Sequence, residues 1–193
     1  MAIEERIRKN VPLAGFTTLG VGGPARYFLS ARNEDDIPTA LHFAEEKGLD
    51  TFVLGGGSNL VVSDAGFDGL VLKIDLRGVR FGEPDESGEL VAEAAAGEDW
   101  DEFVAGCVSR ELAGIECMSG IPGSVGGTPV QNVGAYGQEV SETIVTVRCF
   151  DRKTMRLIEL DNAECGFSYR RSIFNTSEKG RYVVTKVTFR LAA

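Results

Sequence analysis

Histidine is nearly absent from this chain: His42 is the only one in 193 residues. The four cysteines, Cys107, Cys117, Cys149 and Cys165, include no C-x-x-C pair. Zinc sites draw on clustered Cys and His, so no metal centre is expected. Positive charge is also scarce, with 20 Lys and Arg against 29 Asp and Glu and a net charge of −9. That balance argues against nucleic acid or an anionic membrane as partner. No apolar run approaches the ~18 residues of a membrane span. The start, Met1-Ala-Ile-Glu-Glu-Arg-Ile-Arg8, lacks the apolar segment of a secretory signal. The cysteines therefore read as reduced thiols of a cytoplasmic protein, mostly buried as small hydrophobes.

Glycine is abundant instead, with 24 residues clustered at 55–57, 120–127 and 134–137. The strand-forming run Thr51–Leu54 leads into Gly55, Gly56 and Gly57, then Ser58 and Asn59. Without a Cβ, such residues turn tightly and can aim successive N–H groups at one anion, most often a phosphate. A glycine-rich hairpin turn is the plainer reading of the same residues. Residues 118–137 hold six glycines, two prolines, two serines and an asparagine. They are too apolar for a solvated linker and suit a compact loop wrapped on a flat ligand, or a crossover packed between sheet and helix.

In chain order, residues 1–12 read as a short helix ending before Pro12. Gly20-x-Gly22 is no dinucleotide fingerprint, because a strand at Ala25–Leu29 and not a helix follows it. Residues 34–47 read as an amphipathic helix capped by Asn33 or Asp35, with Ile37, Ala40, Leu41 and Ala44 inward and His42 on its flank. With Thr51–Leu54 this gives a β-α-β pattern whose strands are expected to lie parallel. Leu70–Ile74 and Leu90–Ala96 read as strands, with residues 82–88 a polar hairpin tip. A second helix is expected over 99–112, with Asp99 as N-cap, Glu102 three residues on, and Phe103, Cys107, Val108 and Leu112 inward. Ile144–Asp151 and Met155–Leu160 form a hairpin, and Tyr182–Leu191 closes the sheet. The whole is α+β, with two lobes near 1–75 and 76–193.

Four motifs in order carry a resemblance: Thr17 to Gly23, Gly55 to Asn59, Ser119 to Gly127 with Asn132 to Gly137, and Tyr169-Arg-Arg-Ser172. The ordered set, over nearly the whole chain, resembles the UDP-N-acetylenolpyruvoylglucosamine reductase family. That resemblance implies a two-lobed FAD-binding domain of the vanillyl-alcohol-oxidase type, with non-covalent FAD in the cleft between the lobes. It implies NADPH as hydride donor, a small-molecule UDP-sugar as substrate and peptidoglycan precursor synthesis as setting. The chain is expected to be a monomer.

Carried onto this chain, the resemblance assigns cofactor binding to Gly55, Gly56, Gly57, Ser58 and Asn59. The second set is Gly120, Ile121, Pro122, Gly123, Ser124, Gly126 and Gly127, followed by Asn132, Gly134, Ala135 and Tyr136. Arg170 is implied as the catalytic cation that stabilises charge building on the substrate. Tyr169 and Ser172 are implied as substrate contacts. The family continues into a third domain that supplies a serine general acid and a late glutamate. No matching serine motif stands in these residues, so the chain alone is expected to be inactive. Two alternatives stay open: a non-catalytic FAD or nucleotide-binding module, and the cofactor domain of another flavin oxidoreductase of the same superfamily.

Overall fold

The computed structural model describes residues 3–192. The chain divides into two compact units, one running through Leu76 and the other from Arg77.

The first unit is built on a four-stranded sheet. Its strands are β1 (Arg8–Pro12), β2 (Pro24–Ala31), β3 (Thr51–Leu54) and β4 (Phe67–Ile74), in the spatial order β1-β2-β4-β3. β1 is antiparallel to β2, while β4 runs parallel to both β2 and β3. The expected β-α-β strands do share a direction, but β4 lies between them.

Helix α1 (Asp36–Glu46) buries Ile37, Ala40, Leu41 and Ala44, the face read from the sequence, and packs on β2 and β4. Tyr27 meets Phe43 edge-on at 5.3 Å, which puts α1 on the sheet face of Tyr27. Alternation along the strands places Leu29, Leu70 and Leu72 on that face too. The other face carries Phe28 and Val71, packed with Val11, Leu13, Phe16 and Leu54. Asn33 Oδ1 accepts the Asp36 N–H at 3.0 Å, and His42 is exposed beside Glu46.

The helix expected over 1–12 is not formed. A 3-10 turn at Ile3–Arg6 leads into β1, where Pro12 pairs with Pro24; Met1 and Ala2 lie outside the described residues. The edge position of β1 tolerates the missing N–H of Pro12. Arg6 reaches instead across the unit to Asp36, with two bonds of 2.7 Å. Burial opposes the charge on Asp36. The Arg6 guanidinium and the N–H groups of Arg32 and Asn33 outweigh it and hold the carboxyl below the usual range.

The second unit is an antiparallel sheet of β5 (Val79–Phe81), β6 (Glu89–Ala95), β9 (Ile144–Asp151), β10 (Arg156–Asp161) and β11 (Tyr182–Ala192). The order is β10-β9-β11-β6-β5. A two-stranded hairpin, β7 (Gly134–Ala135) with β8 (Gln138–Glu139), stands apart from it. Helix α2 (Trp100–Val108) lays Trp100 and Phe103 on Phe189 of β11, with ring centroids 6.0 and 5.1 Å apart. Asp99 caps it by accepting the Glu102 N–H at 3.0 Å.

The helix is shorter than expected. It ends at Val108, and the Leu112 N–H returns to the Cys107 carbonyl through a turn with Glu111 at φ +61°. Val108 is consequently exposed rather than inward, while Leu112 is buried. Asp151 and Arg181 form two parallel bonds of 2.9 Å where β9 meets β11. Among the described residues no helix is long and apolar enough to cross a membrane.

Candidate functional site

In the first unit, the Gly55–Asn59 loop leaves the C-terminal end of β3. Gly57 is buried at φ +72°, and a Cβ there would lie 1.9 Å from the Phe16 carbonyl oxygen. Its own carbonyl accepts the Thr18 N–H at 3.1 Å. The close approach ties this loop to the Thr17–Gly23 motif, which was read separately from the sequence. Gly23 in turn donates to the Ser63 carbonyl at 2.9 Å. Gly56 and Asn59 are exposed, and Gly55 and Ser58 are half-buried. Leu19 and Val21, and Val61 just beyond the loop, stand exposed, which sequence reasoning missed. The signal was there: large apolar residues within turn-forming sequence have no strand face to occupy.

In the second unit, residues 123–126 run beside residues 96–100. Gly123 O accepts the Trp100 N–H, Val125 N–H donates to Glu98 O, and Gly126 N–H donates to Ala96 O. Gly126 makes this possible, since a Cβ would fall 2.5 Å from that of Ala96. The Gly120 N–H is held by Asp101 Oδ1 at 2.7 Å, the same oxygen that takes the Ser119 hydroxyl at 2.8 Å. Gly127 N–H bonds to Ser124 O. These three glycine N–H groups are therefore spent inside the chain, and the segment is a packed backbone ribbon rather than an open nest. Ile121 and Gly123 are half-buried and Pro122 is exposed.

Ser124 differs. It is 7% exposed, and among the described residues its Oγ has no hydrogen-bond partner. A buried hydroxyl left unpaired costs about 1–3 kcal/mol. A polar group of a cofactor resting on this ribbon would satisfy it, and in that respect Ser124 fits a cofactor bound here.

Asn132 is 1% exposed with φ +46°. Its Nδ2 donates to Glu139 Oε2 and Ser168 O, and its Oδ1 accepts the Ser141 N–H. The side chain is therefore a tie between segments rather than a displayed donor. β7 and β8 are joined by Tyr136 and Gly137, both at positive φ, the two-residue turn that matches strand twist. Tyr136 is left 93% exposed at its tip, while Gly134 and Ala135 are half-buried.

Tyr169 and Arg170 are the central pair of a tight turn in which Ser168 and Arg171 exchange backbone hydrogen bonds of 2.9 and 3.0 Å. Arg170 sits at φ +57° and Tyr169 is 78% exposed, their guanidinium and ring 6.0 Å apart. Ser172 faces the other way. It is 1% exposed, donates to Val130 O and caps the 3-10 turn Ile173–Asn175. The turn and the glycine-rich segment are thus brought together, with Arg170 and Tyr169 outward and Ser172 inward. Gln138, Glu139 and Asp101, which anchor these loops, carried no sequence signal beyond ordinary polarity.

The pattern of the FAD binding domain family matches residues 25–160. The chain belongs to that family. Its similarity to individual members runs further than the matched domain. It is 49% identical over 183 residues to the UDP-N-acetylenolpyruvoylglucosamine reductase of Thermobifida fusca, covering 95% of this chain and 51% of that protein. With the enzyme of the same name from Neisseria gonorrhoeae it shares 40% over 185 residues, 96% of this chain and 53% of that one. The chain spans about half the length of the curated relatives it matches.

Among solved structures, UDP-N-acetylenolpyruvylglucosamine reductase from Thermus caldophilus aligns with a TM-score of 0.73 at 31% identity, over 96% of this chain and 62% of that one. A VAO-type flavoprotein from Myceliophthora thermophila aligns at 0.64 with 17% identity, over 89% and 32%, and shares the fold alone. The α+β fold of vanillyl-alcohol-oxidase type expected from the motifs is the one this FAD-binding family member has.

Proposed function

We propose that this chain is the FAD-binding part of a cytoplasmic UDP-N-acetylenolpyruvoylglucosamine reductase of peptidoglycan precursor synthesis. The observation that carries the reading is the Tyr169–Arg170 turn. It displays a cation in strained backbone and is hydrogen-bonded to the same glycine-rich segment that bears the unpaired Ser124 hydroxyl. Bound FAD would supply hydride chemistry, charged by NADPH and discharged onto the enolpyruvyl double bond of the UDP-sugar. Gly55–Asn59 and the Gly120–Gly127 ribbon would hold the cofactor, with Ser124 Oγ donating to it. Tyr136 and Tyr169 would offer aromatic faces to ligand.

Arg170 would stabilise negative charge as it builds on the substrate. It does not donate the proton that must follow, because a guanidinium holds its protons too firmly to serve as an acid. The neighbouring Ser172 hydroxyl is directed at Val130 O. The acid therefore comes from outside this turn, and the chain alone binds FAD without turning over the sugar. Titration of the flavin-free chain with FAD, followed by heat and by flavin absorbance, tests the reading. Saturable binding with all flavin released on denaturation is expected, and no binding overturns it.

A further inference from the structure

We propose that Asn132 and Glu139 are positioning residues that hold the Tyr169–Arg170 turn, an inference whose functional meaning rests on the role given to Arg170 above. An arginine in the left-handed region is strained, and such strain persists only where the surroundings over-determine it. The turn is closed by the Ser168 carbonyl, which accepts the Arg171 N–H at 2.9 Å. The same carbonyl accepts Asn132 Nδ2 at 3.2 Å. The second Asn132 bond, 2.8 Å to Glu139 Oε2, ends on a carboxylate and is the stronger kind. The Ser141 N–H fixes the far side of the amide at 3.1 Å. Each bond made by a side chain 1% exposed goes to the protein itself, so the amide cannot rotate without leaving a buried polar atom unpaired.

Glu139 belongs to β8 and is fixed in its turn. Its neighbour Gln138 donates to Glu116 at 2.9 Å and accepts the Cys117 N–H at 2.9 Å. A chain of contacts therefore runs from the start of the glycine-rich segment, through the β7–β8 hairpin and Asn132, to the turn that aims Arg170. Without the Glu139 acceptor, Asn132 keeps only the Ser168 carbonyl and the Ser141 N–H, and the second donor on the Ser168 carbonyl is held less firmly.

Limited trypsin digestion of the whole chain tests this, because trypsin cuts after Arg170 and Arg171 only when the turn opens. Glu139→Ala is expected to speed cleavage there by about tenfold, the worth of one charge-assisted hydrogen bond. Cleavage after Arg156 on β10 should hold, and the melting temperature should fall by no more than the few degrees that one such bond is worth in a chain of this size. Glu139→Gln keeps an oxygen acceptor without the charge and should cleave at a rate between the parent and Glu139→Ala. Asn132→Ala should match or exceed Glu139→Ala; if it fails to fold, the Glu139 pair of variants decides alone. Unchanged cleavage in Glu139→Ala overturns the proposal. So does an equal rise at Arg156 and the other sites, which would mean general destabilisation. Because the readout is proteolytic, it stands or falls separately from any effect of Arg170→Ala on UDP-sugar binding.

Discussion

The Ser172 hydroxyl donates to the Val130 carbonyl at 2.7 Å, joining residues 42 apart in the chain. It also accepts the Phe174 N–H at 3.2 Å, so the one oxygen stitches the arginine turn to the glycine-rich segment. Ser172→Ala removes both bonds and leaves Val130 O without this donor. A loss of about 1–3 kcal/mol in stability is expected by denaturant unfolding. FAD affinity should fall less than stability does, since the hydroxyl points away from the exposed side of the turn.

Neighbouring glycines in one loop should respond differently. Gly57→Ala puts a methyl on the Phe16 carbonyl oxygen at a positive φ, so the backbone must move. The cost is expected to exceed about 2 kcal/mol and to appear as a lower melting temperature even without cofactor. Gly56 is exposed, and Gly56→Val should leave that temperature within a degree or two while weakening FAD binding in a calorimetric titration.

Arg170 offers a separation of stability from function. Glycine adopts φ +57° without the steric penalty that an L side chain pays. Arg170→Gly should therefore be more stable than Arg170→Ala by about 0.5–1 kcal/mol. Both should lose the charge that the proposed chemistry needs. An Arg170→Gly variant less stable than Arg170→Ala would show that the turn carries less strain than the backbone entropy glycine gives up.

Thiol labelling should single out Cys117. Burial pushes the Cys107 and Cys165 thiols up to about 12 and raises Cys149 as well, so none of the three offers a thiolate at neutral pH. Cys117 is half-buried. Mass spectrometry after brief alkylation of the native chain should find one label, at Cys117. All four should react in denaturant.

Acid stability should depend on Asp151. The Arg181 guanidinium holds its carboxyl far below the ordinary range, against the opposing effect of burial. An unfolded aspartate titrates near about 3.9, so the pair's contribution is complete above that pH. It is withdrawn as the pH falls toward the folded value. Asp151→Asn should lower the melting temperature by several degrees at pH 7 and by much less at pH 2.

Periodicity made the skeleton legible. The stripe Ile37, Ala40, Leu41 and Ala44 marked α1 because that helix buries one face on its sheet, while strand-forming runs bounded by turns marked β11 and the β9–β10 hairpin, although β11 is buried on both faces. The N-terminal strand was missed because Arg8, Lys9 and Asn10 have no apolar alternation; at a sheet edge, backbone pairing holds the strand, with Arg8 and Lys9 laid over the Phe28 and Tyr27 rings. The end of α2 was missed because Leu112 is buried through a turn and not through a helical face. For the candidate site, glycine spacing pointed to the right segments but not to their use. Nothing in Gly120 or Gly126 announces that its N–H is spent on Asp101 or Ala96. Only a fold that lays residues 123–126 beside 96–100 makes that so, and it leaves Ser124 as the unpaired group.

Each unit places its last strand in the middle of its sheet. β4 arrives after β2 and β3 and separates them; β11 arrives after β6 and β9 and separates those. Before that strand is available, the others have only edges to offer one another, and their central ladders have no partner. Neither sheet can grow by adding strands outward as the chain lengthens. During synthesis the β1–β2, β5–β6 and β9–β10 pairs can form early, but neither sheet can close until its final strand has left the ribosome.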